Sequence, residues 1–193
     1  ILKNQWLELP TGGKWYLGPD GVNYMGWNQI DGSWYYMDGP ARVQYGLRGV
    51  DGYAYIFDTA GRAMAGKTVT LGQTKVVLGE KGRVPDTVTG WIEYQGVRMY
   101  LTKGKYSSGW ALVGKVWYCF NDKTGIQQVG WQERTQDGKI FRHYYKVNGA
   151  AVIGWYDEGG NSYYFETNGA AASGWKTING KRYYFDLKTN SAY

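Results

Sequence analysis

One dipeptide returns along this chain at a nearly fixed interval. Gly-Trp occurs at Gly26-Trp27, Gly90-Trp91, Gly109-Trp110, Gly130-Trp131, Gly154-Trp155 and Gly174-Trp175. With Trp6 in front, and the degenerate pairs Gly46-Leu47 and Gly66-Lys67 between, the ladder stands at 6, 27, 47, 67, 91, 110, 131, 155 and 175, with steps of 21, 20, 20, 24, 19, 21, 24 and 20 residues. Units of about 20 residues cannot bury an apolar face singly, so neighbours stack and share a core.

Each step has the same internal order. A short strand after the Gly-Trp pair leads to a turn with Asp-Gly, Gly-Gly or Asn-Gly (Asp31-Gly32, Gly159-Gly160, Asn179-Gly180), where positive φ is cheap, and a run of aromatics follows. That pattern is a β-hairpin. A second turn, as at Thr59-Ala60-Gly61, Lys123-Thr124-Gly125 or Asn168-Gly169, precedes an extended link to the next unit. The abundance of ring-bearing residues (10 Trp, 19 Tyr, 5 Phe) and 30 Gly beside 4 Pro suits strands and tight turns. The expected fold is all-β, a solenoid of stacked β-hairpin repeats of about 20 residues, with about nine units filling residues 1–193. Two units are irregular. Residues 58–90 hold no aromatic and read as a seam between two lobes, although Thr74 to Leu78 falls where a second strand belongs; the unit after Trp131 reads as a lengthened hairpin with Asp137-Gly138 at its turn.

Several chemistries find no support. The lone Cys119 cannot form an internal disulfide, and no zinc-type spacing of Cys and His occurs, so no metal or cofactor is expected. The net charge is +6, but the 22 Lys and Arg are scattered among acids, which argues against a nucleic-acid surface. No apolar run is long enough for membrane insertion. The opening at Ile1, without Met or a signal-like segment, reads as part of a longer protein. His143 lies between Arg142 and Tyr144 with no nucleophile near in sequence and reads as a surface or stacking residue; Asp157 and Glu158 flank a turn and read as solvated. No catalytic constellation emerges, so the chain reads as a non-enzyme.

The Gly-Trp ladder, Gly32 to Tyr36 (Gly-Ser-Trp-Tyr-Tyr), Val116-Trp117-Tyr118 and the run from Asn179 to Asp186 resemble the cell-wall-binding or choline-binding repeats of Gram-positive surface proteins, autolysins and phage lysins. Related units occur in the glucan-binding ends of glucansucrases and in clostridial toxins. The resemblance covers essentially the whole chain and is weak across residues 58–90. It implies ligand sites between consecutive hairpins, each a cage of the ladder Trp, the first aromatic of the hairpin run and an aromatic of the next unit. Carried over, the cages are Trp27 and Trp34 with Tyr55, Trp110 and Trp117 with Tyr144, and Trp6 and Trp15 with Tyr35. A quaternary ammonium in such a cage is held by ring quadrupoles. The chain departs from the choline pattern at Ser162 and Arg182, which stand where the first cage aromatic belongs, and the Met usual after the second turn is missing. Those departures favour a sugar ring stacked on Trp or Tyr.

Each ladder Trp also has a plain structural reading, as filler between hairpins. Of each pair Tyr35-Tyr36, Tyr163-Tyr164 and Tyr183-Tyr184, one residue faces the core and the other does not, and sequence does not say which. The resemblance implies a secreted, cell-wall or cell-surface module that binds teichoic-acid choline or surface polysaccharide. The alternative is a structural spacer or homo-oligomerisation element.

Overall fold

The computed structural model describes residues 2–8, 10, 13–39 and 42–192; the outermost residues of the expected array, Ile1 and Tyr193, lie outside them. Nearly all the regular structure is antiparallel hairpin. Nine are present among the described residues: β1 (Gln5–Glu8) with β2 (Lys14–Leu17), β3 (Gly26–Ile30) with β4 (Ser33–Asp38), β6 (Gly46–Val50) with β7 (Tyr53–Phe57), β8 (Thr68–Leu71) with β9 (Thr74–Val77), β10 (Gly90–Tyr94) with β11 (Val97–Thr102), β13 (Gly109–Val113) with β14 (Val116–Phe120), β16 (Gly130–Gln136) with β17 (Lys139–Tyr145), β18 (Gly154–Glu158) with β19 (Asn161–Phe165), and β20 (Gly174–Ile178) with β21 (Lys181–Phe185). Short strands β5 (Arg42–Val43) and β15 (Gln127–Gln128) add to β4 and β14, and β12 (Lys105–Tyr106) joins β11 to β7 in a five-stranded sheet. No helix among the described residues is long and apolar enough to cross a membrane.

The glycine of each Gly-Trp pair has a backbone reason. Gly26, Gly90, Gly109, Gly130, Gly154 and Gly174, with Gly46 and Gly66, all have positive φ, a conformation that costs other residues about 1–2 kcal/mol. The chain must turn there from the link into the hairpin. The hairpin turns follow the same rule with paired positive φ, at Asp31 and Gly32, Asp51 and Gly52, Gln95 and Gly96, Asp137 and Gly138, Gly159 and Gly160, and Asn179 and Gly180.

Stacking follows from strand alternation. Residues directly opposite in a hairpin share a face, so Trp27, opposite Tyr36, points one way while Tyr35 and Met37 point the other. Within each unit, a front face bearing a ladder Trp meets the rear face of the next hairpin. Trp6 packs on Tyr35 at 4.9 Å between ring centroids, Trp27 on Tyr55 at 4.9 Å, Trp131 on Tyr163 at 5.0 Å and Trp155 on Tyr183 at 4.9 Å. The tyrosine pairs are thereby resolved. The first member meets the preceding hairpin's indole, and the second lies beside its own, as Tyr36 does at 5.2 Å from Trp27. The last residue of the second strand completes the core: Phe57, Phe120, Tyr145, Phe165 and Phe185 are fully buried.

Links carry the chain between hairpins and clamp them. After four of the second turns an alanine bridges its own hairpin's last residue, in the pairs Phe57 with Ala63, Tyr145 with Ala151, Phe165 with Ala171 and Phe185 with Ala192. The same alanines donate their N–H to the preceding hairpin, Ala63 to Trp34 O at 2.7 Å, Ala151 to Trp117 O at 2.9 Å, Ala171 to Arg142 O at 2.7 Å and Ala192 to Ser162 O at 2.7 Å.

Contacts divide the chain into two compact units, Ile1–Ser108 with Asn121–Ile126, and Gly109–Phe120 with Gln127–Tyr193. The division does not fall within residues 58–90, where a seam was expected. That stretch belongs to the first unit because its hairpin contributes Val69, Leu71 and Leu78 to an aliphatic core with Leu47, Ile56, Ile92 and Leu101. Leu47 holds a ladder position, so the indole is missing where the next hairpin brings no ring to meet it. This hairpin also starts two residues late, at Thr68 after Gly66-Lys67. A 3-10 turn, Glu80–Gly82, follows it.

In the second unit the array has one exception of chemical type. His143 takes the place held elsewhere by Tyr35, Tyr55, Tyr163 and Tyr183, with its ring 3.8 Å from that of Trp110. It is not a surface residue; its exposure is 3%. Burial pushes its pKa down to about 4, and the nearby Arg134 guanidinium acts in the same direction. The imidazole is therefore neutral in the fold while it gains a proton near pH 6.5 in the unfolded chain. The second unit has its full stability above pH 6.5 and loses on the order of 3 kcal/mol as the pH falls from there to about 4, where His143 protonates in the fold. Thermal unfolding followed between pH 7.5 and 4 should show this slope, and His143→Phe should remove most of it; an unchanged slope would place the acid sensitivity elsewhere.

Gly82 supplies a second test. A Cβ there would lie 2.6 Å from Ile56 O and 2.8 Å from Met64 N, at φ +74, whereas a Cβ on Gly26 meets nothing within 4 Å. Denaturant unfolding should show Gly26→Ala costing about 1 kcal/mol, for the backbone alone, and Gly82→Ala costing at least about 2 kcal/mol more through the steric clash.

Candidate functional site

The expected cages are built on the front faces. Trp34 lies opposite Gln29, two residues along from Trp27, so register places Trp27, Trp34 and Tyr36 on one face of their hairpin. Tyr55 reaches that face from the rear of the next hairpin. The structure thus brings Trp27, Trp34 and Tyr55 together, with Phe57 stacked on Trp27 at 5.7 Å. A further residue is there too. The Lys81 ammonium stands over both indoles, 4.2 Å from the Trp34 centroid and 5.5 Å from that of Trp27.

The second expected cage assembles differently. Trp117, opposite Leu112, shares the front face with Trp110, which lies opposite Cys119, and it is 40% exposed. Its third member by position is His143. Tyr144 lies opposite Trp131 and packs on Trp131 and on Tyr156, at 5.3 and 5.0 Å, so it belongs to the following crevice. Here too a cation covers the indole, with Arg134 Cζ 5.1 Å from the Trp110 centroid.

In the third expected cage, Trp6 and Tyr35 are in contact. Trp15 lies opposite Leu7, and Tyr16 opposite Trp6, so Trp15 points to the other face of the hairpin. Lys14 holds the register that Trp34 holds in its own hairpin, and it pairs with Glu8 at 3.6 Å.

That register position is where the chain varies most. Trp34, Arg98, Trp117, Arg142, Ser162 and Arg182 occupy it in successive hairpins, each two residues before the partner of the ladder Trp. The carbonyls of Trp34, Trp117, Arg142 and Ser162 are clamped by the link alanines, so the fold needs the backbone there and leaves the side chain free. Where the side chain is Arg it turns onto its own hairpin's indole: Arg98 on Trp91 at 4.7 Å, Arg142 on Trp131 at 4.4 Å and Arg182 on Trp175 at 4.7 Å. Arg142 is held further by Lys188 O and Thr189 O, each at 3.1 Å, and by Glu133 at 3.8 Å. At Trp155 the position is Ser162, whose hydroxyl bonds Asp157 at 2.5 Å, and the indole is 43% exposed.

Sequence reasoning missed Lys81, Arg134 and His143. Of the three arginines in the Trp34 register, Arg182 was visible in sequence as a break in the aromatic pattern, while Arg98 and Arg142 were not singled out. Lys81 lies in the aromatic-free stretch, outside any periodic position, and left no signal. Cys119 is buried, as its aromatic surroundings suggested.

Beside the lengthened hairpin of the second unit runs a groove of about 820 Å³, bounded by Glu133, Phe141, Arg142, Asn168, Lys176 and Lys188. An ion pair between Lys176 and Glu166, at 2.8 Å, fixes part of its wall.

Three segments, residues 25–39, 153–171 and 173–186, match the cell wall binding repeat of the choline-binding type. Over 180 residues, 79% of this chain, the sequence is 28% identical to glucosyltransferase-S of Streptococcus mutans serotype c; the chain spans 12% of that protein's length. A crystal structure of choline binding protein F from Streptococcus pneumoniae, obtained with a tetrasaccharide-pentapeptide peptidoglycan analogue, superposes with a TM-score of 0.52 at 25% identity over 93% of this chain and 55% of that one. A second crystal form of choline binding protein F gives the same TM-score of 0.52 at 22% identity, over 98% of this chain and 78% of that one. With the hairpin ladder and its inter-hairpin indoles, these matches show that the chain carries repeats of the cell-wall-binding, or choline-binding, type.

Proposed function

We propose that this chain is a non-catalytic module that holds a larger secreted or surface protein to a cell-surface polysaccharide, with sugar rather than choline as the principal ligand. The observation that carries the ligand choice is the covering of the indoles by the chain's own cations. Trp27, Trp91, Trp110, Trp131 and Trp175 each have a Lys or Arg head within 5.5 Å of the ring centroid.

The magnitudes decide against a free trimethylammonium at those rings. A cation over an indole gains roughly 0.5–2 kcal/mol. Two like charges about 5 Å apart near a protein surface repel by about 3 kcal/mol at an effective dielectric of 20. Repulsion exceeds attraction unless the internal cation moves away. A neutral sugar meets no such opposition, and guanidinium and ammonium groups donate hydrogen bonds to its hydroxyls. The groove beside Phe141 adds planar hydrogen-bonding groups next to apolar surface, as does the half-open face of Trp155 beside Ser162 and Asp157. The matched glucosyltransferase-S and the choline binding protein crystallised with a saccharide-bearing analogue are consistent with that ligand class. Several weak sites in one array would reinforce one another.

A second reading, a self-associating spacer, has one observation behind it: Trp175, which carries no following hairpin on its front face among the described residues, is 62% exposed. Light scattering distinguishes it, since a spacer that self-associates through this face should lose mass on Trp175→Ala.

For the leading reading, the protein should be retained on immobilised glucan or wall glycan and should pass through a tertiary-amine resin in buffer without added salt. Asp157→Ala, at the exposed polar edge beside the half-open face of Trp155, should weaken glycan retention severalfold without changing the circular dichroism. Elution from the glycan by millimolar choline, or tight retention on the amine resin, would reverse the assignment in favour of choline.

A further inference from the structure

We infer that Lys81 is an internal ligand of the Trp27–Trp34–Tyr55 cage, and thereby the residue that decides what this cage accepts. The cage has the ring composition that holds a quaternary ammonium, and the Lys81 ammonium stands where that cation would be held, 4.2 Å from one indole centroid and 5.5 Å from the other. The side chain is not a mobile surface lysine that happens to lie near. Lys81 sits at the centre of the 3-10 turn with φ 54 and ψ 25, a left-handed conformation uncommon for a residue of its type. The turn is closed on itself, Gly79 N–H to Arg83 O at 2.8 Å, Gly82 N–H to Gly79 O at 3.2 Å and Arg83 N–H to Glu80 O at 3.1 Å. It is fixed to the hairpin that carries Tyr55, through Val84 N–H to Ala54 O at 2.8 Å and a bridge between Arg83 and Tyr55. Gly82 lets the two backbones approach so closely that a Cβ would not fit. Arg83 is itself held over the Tyr53 ring, at 3.9 Å, and pairs with Asp86.

These restraints deliver the ammonium to the cage from the same molecule. A tethered ligand competes at an effective concentration in the millimolar range or above, so a free ammonium of millimolar affinity gains little occupancy against it. Removing the amine leaves the two indoles and Tyr55 without their internal cation, and Tyr55 and Lys81 also border an open space of about 400 Å³. The neutral or shortened variant should therefore convert a closed cage into a site for choline-class cations. This assignment stands apart from the glycan reading, because it concerns one cage and is judged by a difference between two forms of the protein.

The test is calorimetric titration of choline chloride into the whole chain, with tryptophan fluorescence in parallel, for wild type, Lys81→Gln, Lys81→Ala and Lys81→Ala combined with Trp34→Ala. Lys81→Gln keeps most of the aliphatic stem and serves if the alanine variant unfolds. The expected result is one additional choline site per chain in both neutral variants, at least about tenfold tighter than any response of the same cage in wild type, and lost when Trp34 is also replaced. If the neutral variants fold as wild type does and bind no more choline than it does, the assignment is overturned. Choline binding by the wild type at other cages would count against the glycan reading alone and would leave the added site as the measure of Lys81.

Discussion

Outside the aliphatic core around β8 and β9, each unit of this fold depends on the contact between the indole of one hairpin and the rear ring of the next. The contact exists because successive residues of the returning strand point to opposite faces, so a run such as Tyr35-Tyr36-Met37 serves two interfaces at once. Tyr36 lies beside its own Trp27, while Tyr35 and Met37 reach back toward Trp6 and the core behind. Each such ring pair contributes about 0.5–1.5 kcal/mol beyond the area it buries. A hairpin with five residues per strand has little else to hold it, so stability is gathered neighbour by neighbour, as in other repeat arrays. The open part of each front face is then whatever the next hairpin leaves uncovered.

That alternation also explains which parts of the structure could be read from the sequence. The ladder was legible because its glycines serve a positive-φ corner and recur wherever the corner does. The turns were legible for the same reason, and the lengthened hairpin at Asp137-Gly138 appears as read, with strands of seven residues. Trp34 and Trp117 were correctly grouped with Trp27 and Trp110 because a spacing of seven, across a two-residue turn, returns to the same face. Errors of one residue were costly in the same logic. Trp15 and Tyr144 each lie one position from the register that a cage requires, and one position in a strand is the opposite face. In both cases an aromatic residue stood where eye and composition expected one, while Lys14 and His143 held the places that the pairing assigns. Residues 58–90 misled differently. Absence of rings suggested absence of packing, but Val69, Leu71 and Leu78 build an aliphatic core that needs none.

The variable position two residues before the ladder's partner shows how one fold carries several surfaces. Its carbonyl is committed to the link alanine of the following unit, and that bond is indifferent to the side chain. Trp there extends the aromatic surface, Arg covers it with a guanidinium, and Ser with Asp157 turns it polar. The repeat fold fixes the backbone of these crevices without fixing the side chain that lines them, since the fold is satisfied by all three. An exposed indole face is a large apolar area, and an arginine laid across it keeps a charged head in water while its stem and plane shield the ring. The same cap that makes the face soluble makes it unwelcoming to a second cation.

The hairpin that lost its rings joins these themes. An indole at position 47 would have faced β8 and β9, which bring only aliphatic side chains, and leucine fits that interface. Loss of the ladder Trp and loss of the facing ring are therefore one change seen from two sides. The longer link that follows this hairpin does not return directly to the next Gly-Trp. It folds into the 3-10 turn, docks on the backbone of β7 through Val84 and Ala54, and sends one ammonium forward to the preceding crevice. An interruption of the repeat therefore acts on the crevice where Trp27, Trp34 and Tyr55 meet. Since the docking bonds are made by backbone and the cage contact by a single side chain, the two functions of this segment are separable: holding the third hairpin in place, and setting the charge that the cage presents.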